Sequence, residues 1–210
     1  MAISNGYVAL SELKSYIGLS GSGQDTNLEN AIEGASRLID KICGRKFWID
    51  STAIEKLYTP INEFFVIVDD IATTTGLVVK TDDNDDGTHE TTLTINTDFI
   101  LLPSNPEHIG ASDGTDYYAP QNEIRILSTR SSKRFDPMVI QNVKVEAKFG
   151  FAVVPDAIKQ ATFIQALRFF KRKDTPFNVF GNEQTGTIEL FSKFDPDALA
   201  LLKNFKRNNL

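Results

Sequence analysis

The most regular spacing of apolar and polar positions lies between residues 25 and 44, and it predicts an amphipathic helix. Apolar residues that recur every three or four positions gather on one side of a helix, which then packs against a core. Asp25 is expected to cap the amino end, and Gly44 to end the helix in a left-handed conformation. A shorter helix is predicted over residues 9–17. The apolar stripe of the longer helix is Leu28, Ala31, Ile32, Ala35, Leu38, Ile39 and Ile42.

The long helix predicted from Pro155 to Lys173 is apolar on nearly every side. Proline fits the first position of a helix because its missing N–H would be unpaired there, and Asp174-Thr175-Pro176 is expected to stop the helix. A helix without a wide polar face is usually covered on several sides. It is therefore either the central helix of a one-chain core or a helix that a second copy of the chain covers on one side.

Between these helices the pattern changes to short runs rich in β-branched and aromatic residues, which predict strands. Groups that form turns separate the runs, including residues 82–87 and 112–114. These runs predict a small, mostly antiparallel β-domain inserted between two helical parts. The predicted strands cover residues 47–49, 55–58, 64–68, 77–80, 91–95, 99–102, 123–126 and 143–148.

A last helix is predicted to begin at Asp195-Pro196, with the aspartate as cap and the proline at the first helical position. Residues 181–186 are predicted to form a loop, and residues 187–191 a short strand. The whole chain thus predicts an α+β fold in which the N- and C-terminal parts form a bundle of about four helices and a mostly antiparallel β-domain is inserted between them. The predicted boundaries are 1–46 for the first helical part, 47–148 for the β-domain and 149–210 for the second helical part.

Composition and charge narrow the class of protein. The chain has 210 residues, 41% hydrophobic and 24% charged, which is typical of a soluble globular protein. It shows no signal peptide and no apolar run long enough to span a bilayer. The single cysteine, Cys43, excludes an intramolecular disulfide and is expected to be a small buried hydrophobe.

Acidic residues concentrate in the middle of the chain. Residues 51–120 hold 13 acidic and 2 basic side chains, whereas residues 151–210 sum to +3 and the whole chain to −6. An acidic surface repels DNA phosphates, so tight wrapping of nucleic acid by the middle segment is not expected. Such a surface is compatible with a wall past which DNA slides.

Motifs of enzyme chemistry are not found. The two histidines, His89 and His108, stand 19 residues apart on predicted loops, and no zinc cluster, nucleophile elbow or phosphate loop is present. The protein is therefore predicted not to be an enzyme and to need no cofactor.

One weak metal signal remains in the acidic segment. Asp82, Asn84 and Asp86 followed by Gly87 match the first half of a calcium loop, and Glu90 is a candidate for a further ligand. The second half of the motif fails, because Leu93 stands where a bidentate glutamate belongs. A polar hairpin turn is the alternative.

Three blocks of sequence together resemble a known family. The first is DTNLENAIEGASRLIDKICGRKF over residues 25–47; the second is residues 154–176, which run from VPDAIKQA to FFKRKDTP and are followed by the glycine loop and a last helix. The third is the acidic hairpin DDNDDGTHET, residues 82–91. These blocks, and the order of two helices, a β-insert, a long helix, a loop and a last helix along the chain, resemble the head–tail connector (adaptor, or head-completion) proteins of tailed bacteriophages.

The resemblance implies a non-enzymatic virion protein at the head–tail junction, made in the cytoplasm of the bacterial host. It implies a closed ring of about twelve subunits beneath the portal, which extends the channel for genome exit. The implied partners are further copies of the chain, the portal protein, the next neck or tail protein (stopper or tail terminator) and genomic DNA that passes without sequence-specific binding. No membrane partner is implied.

The resemblance also implies two contact surfaces on the helical parts. The long helix is expected to face the neighbouring subunit, and the C-terminal segment to reach the portal. The subunit contacts are expected at Ile158, Phe163, Ile164, Leu167 and Phe170, and the portal contacts at Leu201, Leu202, Lys203, Phe205, Lys206 and Arg207. The competing hypotheses are another neck or tail-completion protein, a monomeric β-domain that binds a saccharide or calcium and, weakest, an enzyme.

Overall fold

The computed structural model describes residues 5–112, 115–172 and 194–207. The chain divides into two compact units: Met1–Phe47 with Val154–Leu210 form a helical unit, and Trp48–Val153 form a β-unit. The predicted α+β class, with a β-domain inserted between helical parts, is confirmed. The predicted loop and strand between residues 181 and 191 lie outside the described residues.

The helical unit is built around the packing of α2 on α3. Its helices are α1 (Leu10–Ile17), α2 (Asp25–Cys43), α3 (Asp156–Arg172) and α4 (Pro196–Leu202), and a 3₁₀ turn, Lys203–Phe205, follows α4. The predicted stripe of α2 supplies much of the core, because every third or fourth residue returns to the same side. The buried apolar residues of one core cluster are Val8, Leu13, Leu28, Ala31, Ile32, Ala35 and Ala166.

The helix ends follow the predictions at two positions and differ at a third. Gly44 ends α2 with φ +66°, and the carboxylate of Asp195 accepts the backbone N–H groups of residues 197 and 198. Asp25 was predicted as a cap, but Gln24 holds that position and Asp25 is the first helical residue. The Asp25 carboxylate instead pairs with Lys14 Nζ at 2.7 Å, so a tertiary ion pair replaces the local cap.

The β-unit contains a six-stranded antiparallel sheet and a separate two-stranded hairpin. The main sheet has the order β1–β8–β2–β7–β4, with β3 paired to β2, and the hairpin consists of β5 and β6. The strands are β1 (Ile54–Tyr58), β2 (Phe65–Thr81), β3 (Thr91–Leu93), β4 (Phe99–Leu102), β5 (His108–Ser112), β6 (Thr115–Tyr118), β7 (Gln121–Ile126) and β8 (Val143–Phe149).

Alternation places the core on one side of each strand. In β8 the residues Val143, Val145, Ala147 and Phe149 are buried, as their period of two predicts. They meet Val66 and Val68 of β2, Ile124 of β7 and Phe99 of β4 in one apolar cluster.

Two strand predictions were wrong in their extent. The runs 64–68 and 77–80 belong to one strand, β2, which stays paired through register shifts between Ile67 and Ile71 and again between Thr73 and Val78. Gly76, at φ +78°, lies within this irregular part. The polar residues between the two runs show no strand pattern, so the sequence did not indicate that the runs form one strand. His108 was predicted on a loop but lies in β5.

The predicted strand over residues 47–49 does not form. Phe47 is fully buried, its N–H donates to the hydroxyl of Tyr7 at 2.9 Å, and its ring meets the rings of Tyr7 and Phe205 edge to face. These contacts hold Phe47 as a core residue of the helical unit instead.

Candidate assembly surfaces

The long helix α3 has one side that is buried within the helical unit and one that is not. The buried positions are Ile158, Ala161, Thr162, Gln165 and Ala166, which return at helical spacing. The opposite side carries Ile164 and Leu167, both half-buried, and at its margins Phe163 and Phe170, which are half-buried and also pack against the core cluster. The structure therefore separates Ile158, which is fully buried, from the other four residues of the predicted subunit contact.

This half-buried apolar face continues onto α1. The ring of Tyr16 stacks on that of Phe163 with centroids 5.0 Å apart and planes 14° from parallel, yet Tyr16 is 46% exposed. Sequence reasoning missed Tyr16 because it lies off the apolar side of α1 that Leu10, Leu13 and Ile17 define. We name Tyr16, Phe163, Ile164, Leu167 and Phe170 the α3 face.

The predicted portal contact is only partly available on the surface. Leu202 is fully buried, and the half-buried Phe205 packs its ring on Phe47 at 5.7 Å between centroids. The backbone N–H of Arg207 donates to the carbonyl of Cys43 at 2.8 Å. Lys203 and Lys206 are exposed, and Leu201 is half-buried.

Leu199, which was not predicted, is 40% exposed on α4. Its signal in the sequence is the run Ala198 to Leu202, which is too apolar for one buried side. We name Leu199, Leu201, Lys203 and Lys206 the C-terminal surface.

Polar contacts fix α4 against α3. The Gln165 Oε1 atom accepts the N–H of Asp195 at 3.1 Å, and Arg168 pairs with the Asp195 carboxylate at 3.5 Å. Gln165 is fully buried, and its Nε2 atom has no hydrogen-bond partner among the described residues. The position of the C-terminal surface is thus set by a cap residue that α3 holds from two sides.

A partly buried polar cluster connects Tyr7, near the start of the chain, to α2. Tyr7 donates its hydroxyl proton to the carboxylate of Asp40, and Arg37 pairs with the same carboxylate at 3.3 Å. Burial raises the pKa of Asp40 above its usual value, although the Tyr7 hydrogen bond and Arg37 oppose the shift. Burial likewise raises the pKa of the Cys43 thiol to about 11, and Cys43 is 1% exposed, in agreement with its prediction as a small buried hydrophobe.

In the β-unit the acidic hairpin brings three of the four predicted metal ligands together. One carboxylate oxygen each from Asp82, Asp86 and Glu90 lies within 4.8 Å of the other two. Asn84 contributes its backbone N–H, which donates to Asp82 Oδ1 at 3.2 Å.

Backbone N–H groups of the same hairpin also donate hydrogen bonds to the carboxylate of Asp82. Asp82 is 3% exposed and accepts the N–H groups of Asp86 and Gly87 as well, at 3.3 and 2.8 Å. Desolvation opposes the ionisation of Asp82, but these backbone donors outweigh it, and the pKa of Asp82 is lowered. A hydrogen-bonded turn accounts for the arrangement without an ion, and calcium binding stays a prediction.

Comparison with known proteins finds solved structures with a similar fold. No family profile and no curated protein matches the sequence. Among solved structures, the chain is similar over its full length to a chain in the neck of a native GTA particle, computed with C12 symmetry. The two are 13% identical with a TM-score of 0.54, and the match covers 94% of that chain.

A chain in the neck of an empty GTA particle, computed with C6 symmetry, gives 13% identity and a TM-score of 0.53. A chain in the virion of the native gene transfer agent particle gives 14% and 0.50, and both matches again cover the whole of this chain and 94% of the other. The chain has the fold of a neck protein. The predicted resemblance to connector proteins is thus confirmed at the level of the fold, including the β-insert, which lies inside the matched length. No helix among the described residues is long and apolar enough to cross a membrane.

Proposed function

We propose that this protein is a structural component of the neck of a phage-like particle, an adaptor that forms a ring beneath the portal and extends the channel for DNA. The observation that carries the proposal is the match of both units, over the full length, to chains of a particle neck. Those necks were computed with C6 and C12 symmetry, which supports a ring of identical subunits for this chain as well. The protein then resides in the virion, at the head–tail junction.

The α3 face is the subunit contact in this proposal. Its aromatic and aliphatic side chains keep part of their surface in water in the single chain, and burial against a neighbour would remove that surface. Ile158 is not part of the proposed subunit contact, because it is already fully buried within its own chain. A ring requires a heterologous interface, so the α3 face binds a different patch of the next subunit.

The C-terminal surface is the portal contact. Lys203 and Lys206 offer exposed charge beside Leu199 and Leu201, whereas Leu202 and Phe205 serve the core of the helical unit. Removal of the whole segment would therefore unfold α4 as well as remove a contact. Point changes at the exposed residues are the sharper test.

The β-unit supplies an acidic wall. Within residues 48–153 there are 17 acidic and 8 basic side chains, a net charge of −9, whereas the helical unit carries +3. Like charge prevents DNA from adhering where it has to slide.

Two measurements test the proposal. Light scattering of the full-length protein across a concentration range, alone and with purified portal particles, is expected to give a closed ring on the portal. Lys203→Glu with Lys206→Glu should weaken portal binding at least tenfold, while Asn30→Asp, an exposed change on α2, should not. Binding to the tail tube instead of the portal would assign the protein to a different neck position. A protein that stays monomeric and binds neither the portal nor the tail tube would overturn the proposal.

A further inference from the structure

The loop between β7 and β8 exposes two large apolar side chains. Met138 is 86% exposed and Ile140 is 80% exposed, while Val139 between them is buried. The segment is a pair of turns, in which the N–H of Val139 donates to the carbonyl of Asp136 and the N–H of Asn142 donates to the carbonyl of Val139, both at 3.3 Å. The exposure is therefore built into the fold of the loop.

Hydrogen bonds hold this loop in one shape. The Asp136 carboxylate accepts the N–H of Met138 at 2.8 Å, and the Asp136 N–H donates to Asn142 Oδ1 at 3.0 Å. Asn142 Nδ2 in turn donates to the carbonyl of Asp82 at 2.6 Å, and Phe135 is buried in the β-unit core. A partner that binds here meets a preformed surface and loses little conformational entropy on binding.

A second loop lies beside the first and adds two more apolar side chains. The N–H of Phe135 donates to the carbonyl of Glu63 at 3.0 Å, and the N–H of Gln141 donates to the Thr59 hydroxyl at 2.9 Å. This neighbouring loop presents Ile61, 55% exposed, and Phe64, 41% exposed. We name Ile61, Phe64, Met138 and Ile140 the apolar tip surface.

Acidic groups outnumber basic groups around this surface. The acidic hairpin adjoins it, since His89 Nε2 lies 2.9 Å from the carbonyl oxygen of Gln141. Three basic residues share this loop: Arg130 is exposed, Lys133 pairs with Asp98 at 3.1 Å, and the guanidinium of Arg134 lies 5.1 Å from the centroid of the Phe64 ring. The exposed carboxylates of the two loops and the hairpin are Glu63, Asp83, Asp85, Asp86, Glu90 and Asp136.

We infer that the apolar tip surface binds a different protein of the particle, through an apolar pocket with a lysine- and arginine-rich border. Apolar side chains of this size gain by leaving water, and an acidic rim selects a basic counterpart. The same rim disfavours the β-unit of a second copy, which carries net charge −9, and an anionic lipid surface, which is negative as well. The inference rests on the proposed function only in taking the partner from the same particle.

Photo-crosslinking within assembled particles tests the inference. The full-length chain carries p-benzoylphenylalanine in place of Met138, or in place of Thr74, an exposed control position in β2. The Met138 position is expected to crosslink to a different particle protein, at a segment rich in lysine or arginine, and the Thr74 position is not. A crosslink to a second copy, or no crosslink in particles that contain the protein, overturns the inference.

Paired substitutions give an independent readout. Met138→Asp with Ile140→Asp should reduce incorporation of the crosslinked partner at least tenfold, with the mass and melting temperature of the purified protein unchanged. Thr74→Asp with Thr75→Asp is the matched control. Binding of the wild-type protein to phosphatidylserine vesicles that the Met138→Asp pair abolishes would replace the protein partner by a membrane.

The two proposals fail in different ways. Absence of the wild-type protein from purified particles overturns the proposed function. Its presence in particles with an unreactive Met138 position overturns the docking inference alone.

Discussion

The β-unit and the helical unit treat their apolar side chains differently. The sheet of the β-unit buries its apolar sides in one cluster that includes Val66, Ile124 and Val145, each fully buried. The helical unit has a core of its own, yet α3 leaves Phe163, Ile164 and Leu167 half in water. In the proposed ring a neighbouring copy covers this half-buried face of α3, whereas the β-unit completes its sheet core within one chain and exposes apolar side chains in its loops, at Met138 and Ile140.

The largest change in stability is expected from truncating a side chain in the core of the β-unit. Ile124→Ala removes a fully buried side chain from the central strand β7 and should lower the free energy of unfolding by about 2–5 kcal/mol, since a cavity is left behind. Leu167→Ala should lower that of the helical unit by less than about 1 kcal/mol, because Leu167 is half-buried. Urea denaturation followed by the fluorescence of Trp48, the single tryptophan, and by circular dichroism measures the two. Equal losses would remove the distinction between the units.

For ring assembly, in contrast to stability, the larger effect is expected from a substitution on the α3 face. Leu167→Asp places a charge on the α3 face and should raise the dissociation constant of the ring at least a hundredfold, about 3 kcal/mol, because the charge would lose its water at the contact. Light scattering against concentration, with portal present, measures the shift. Asn30→Asp should leave it unchanged. A Leu167→Asp protein that assembles normally would show that α3 faces solvent in the particle.

Local signals in the sequence predicted the helices well. The stripe of α2, its end at Gly44 and the cap at Asp195 depend on residues a few positions apart, so they can be read without the rest of the fold. Asp25 failed as a cap because Lys14, eleven residues away, takes its carboxylate.

Features that depend on contacts between residues far apart in the sequence could not be predicted. An all-round apolar helix does not indicate which side its own chain covers, and α3 buries Ile158 while it leaves Leu167 half-buried. Leu202 and Phe205 looked like free anchors because their partners, among them Phe47, lie far away in the sequence. The exposure of Met138 follows from the burial of its neighbours and has no pattern of its own.

A moderate effect, specific to the β-unit, is expected from Asp98. Its carboxylate accepts the Ser131 hydroxyl at 2.6 Å, the N–H of Thr94 at 2.8 Å and Lys133 Nζ at 3.1 Å, and these donors lower its pKa with the Ser131 bond as the largest cause. Asp98→Asn should cost about 2 kcal/mol at neutral pH, in line with hydrogen bonds to a charged group. Because the pKa is lower in the folded state, this contribution is present above about pH 4 and is lost as the pH falls through the folded pKa. Urea denaturation of wild type and variant from pH 7 to pH 2.5 tests this, and parallel curves would contradict it.

The helical unit should respond to pH with the opposite sign through Asp40. Burial raises its pKa in the folded state, so the folded state holds the proton more tightly and stability falls as the pH rises through that raised value. Asp40→Asn, which keeps the shape of the side chain, should remove this part of the slope above pH 4 and leave the Asp98 part unchanged. Circular dichroism at the helical signal measures it. A wild-type slope that survives in Asp40→Asn would assign the effect elsewhere.

The smallest effect is expected from calcium at the acidic hairpin. Extracellular-type sites bind calcium with dissociation constants of about 0.1–1 mM, so 5 mM calcium at a 1 mM site would stabilise the β-unit by about 1 kcal/mol. Melting with calcium and with a chelator, in wild type and in Glu90→Gln, separates binding from general salt effects, because Glu90 is exposed and leaves the backbone bonds to Asp82 intact. A calcium shift that Glu90→Gln abolishes would establish a site at Asp82, Asp86 and Glu90. The absence of a shift would leave the hairpin as a turn in which backbone N–H groups satisfy the carboxylate of Asp82, and its exposed acids would then contribute charge to the rim of the apolar tip surface without holding an ion.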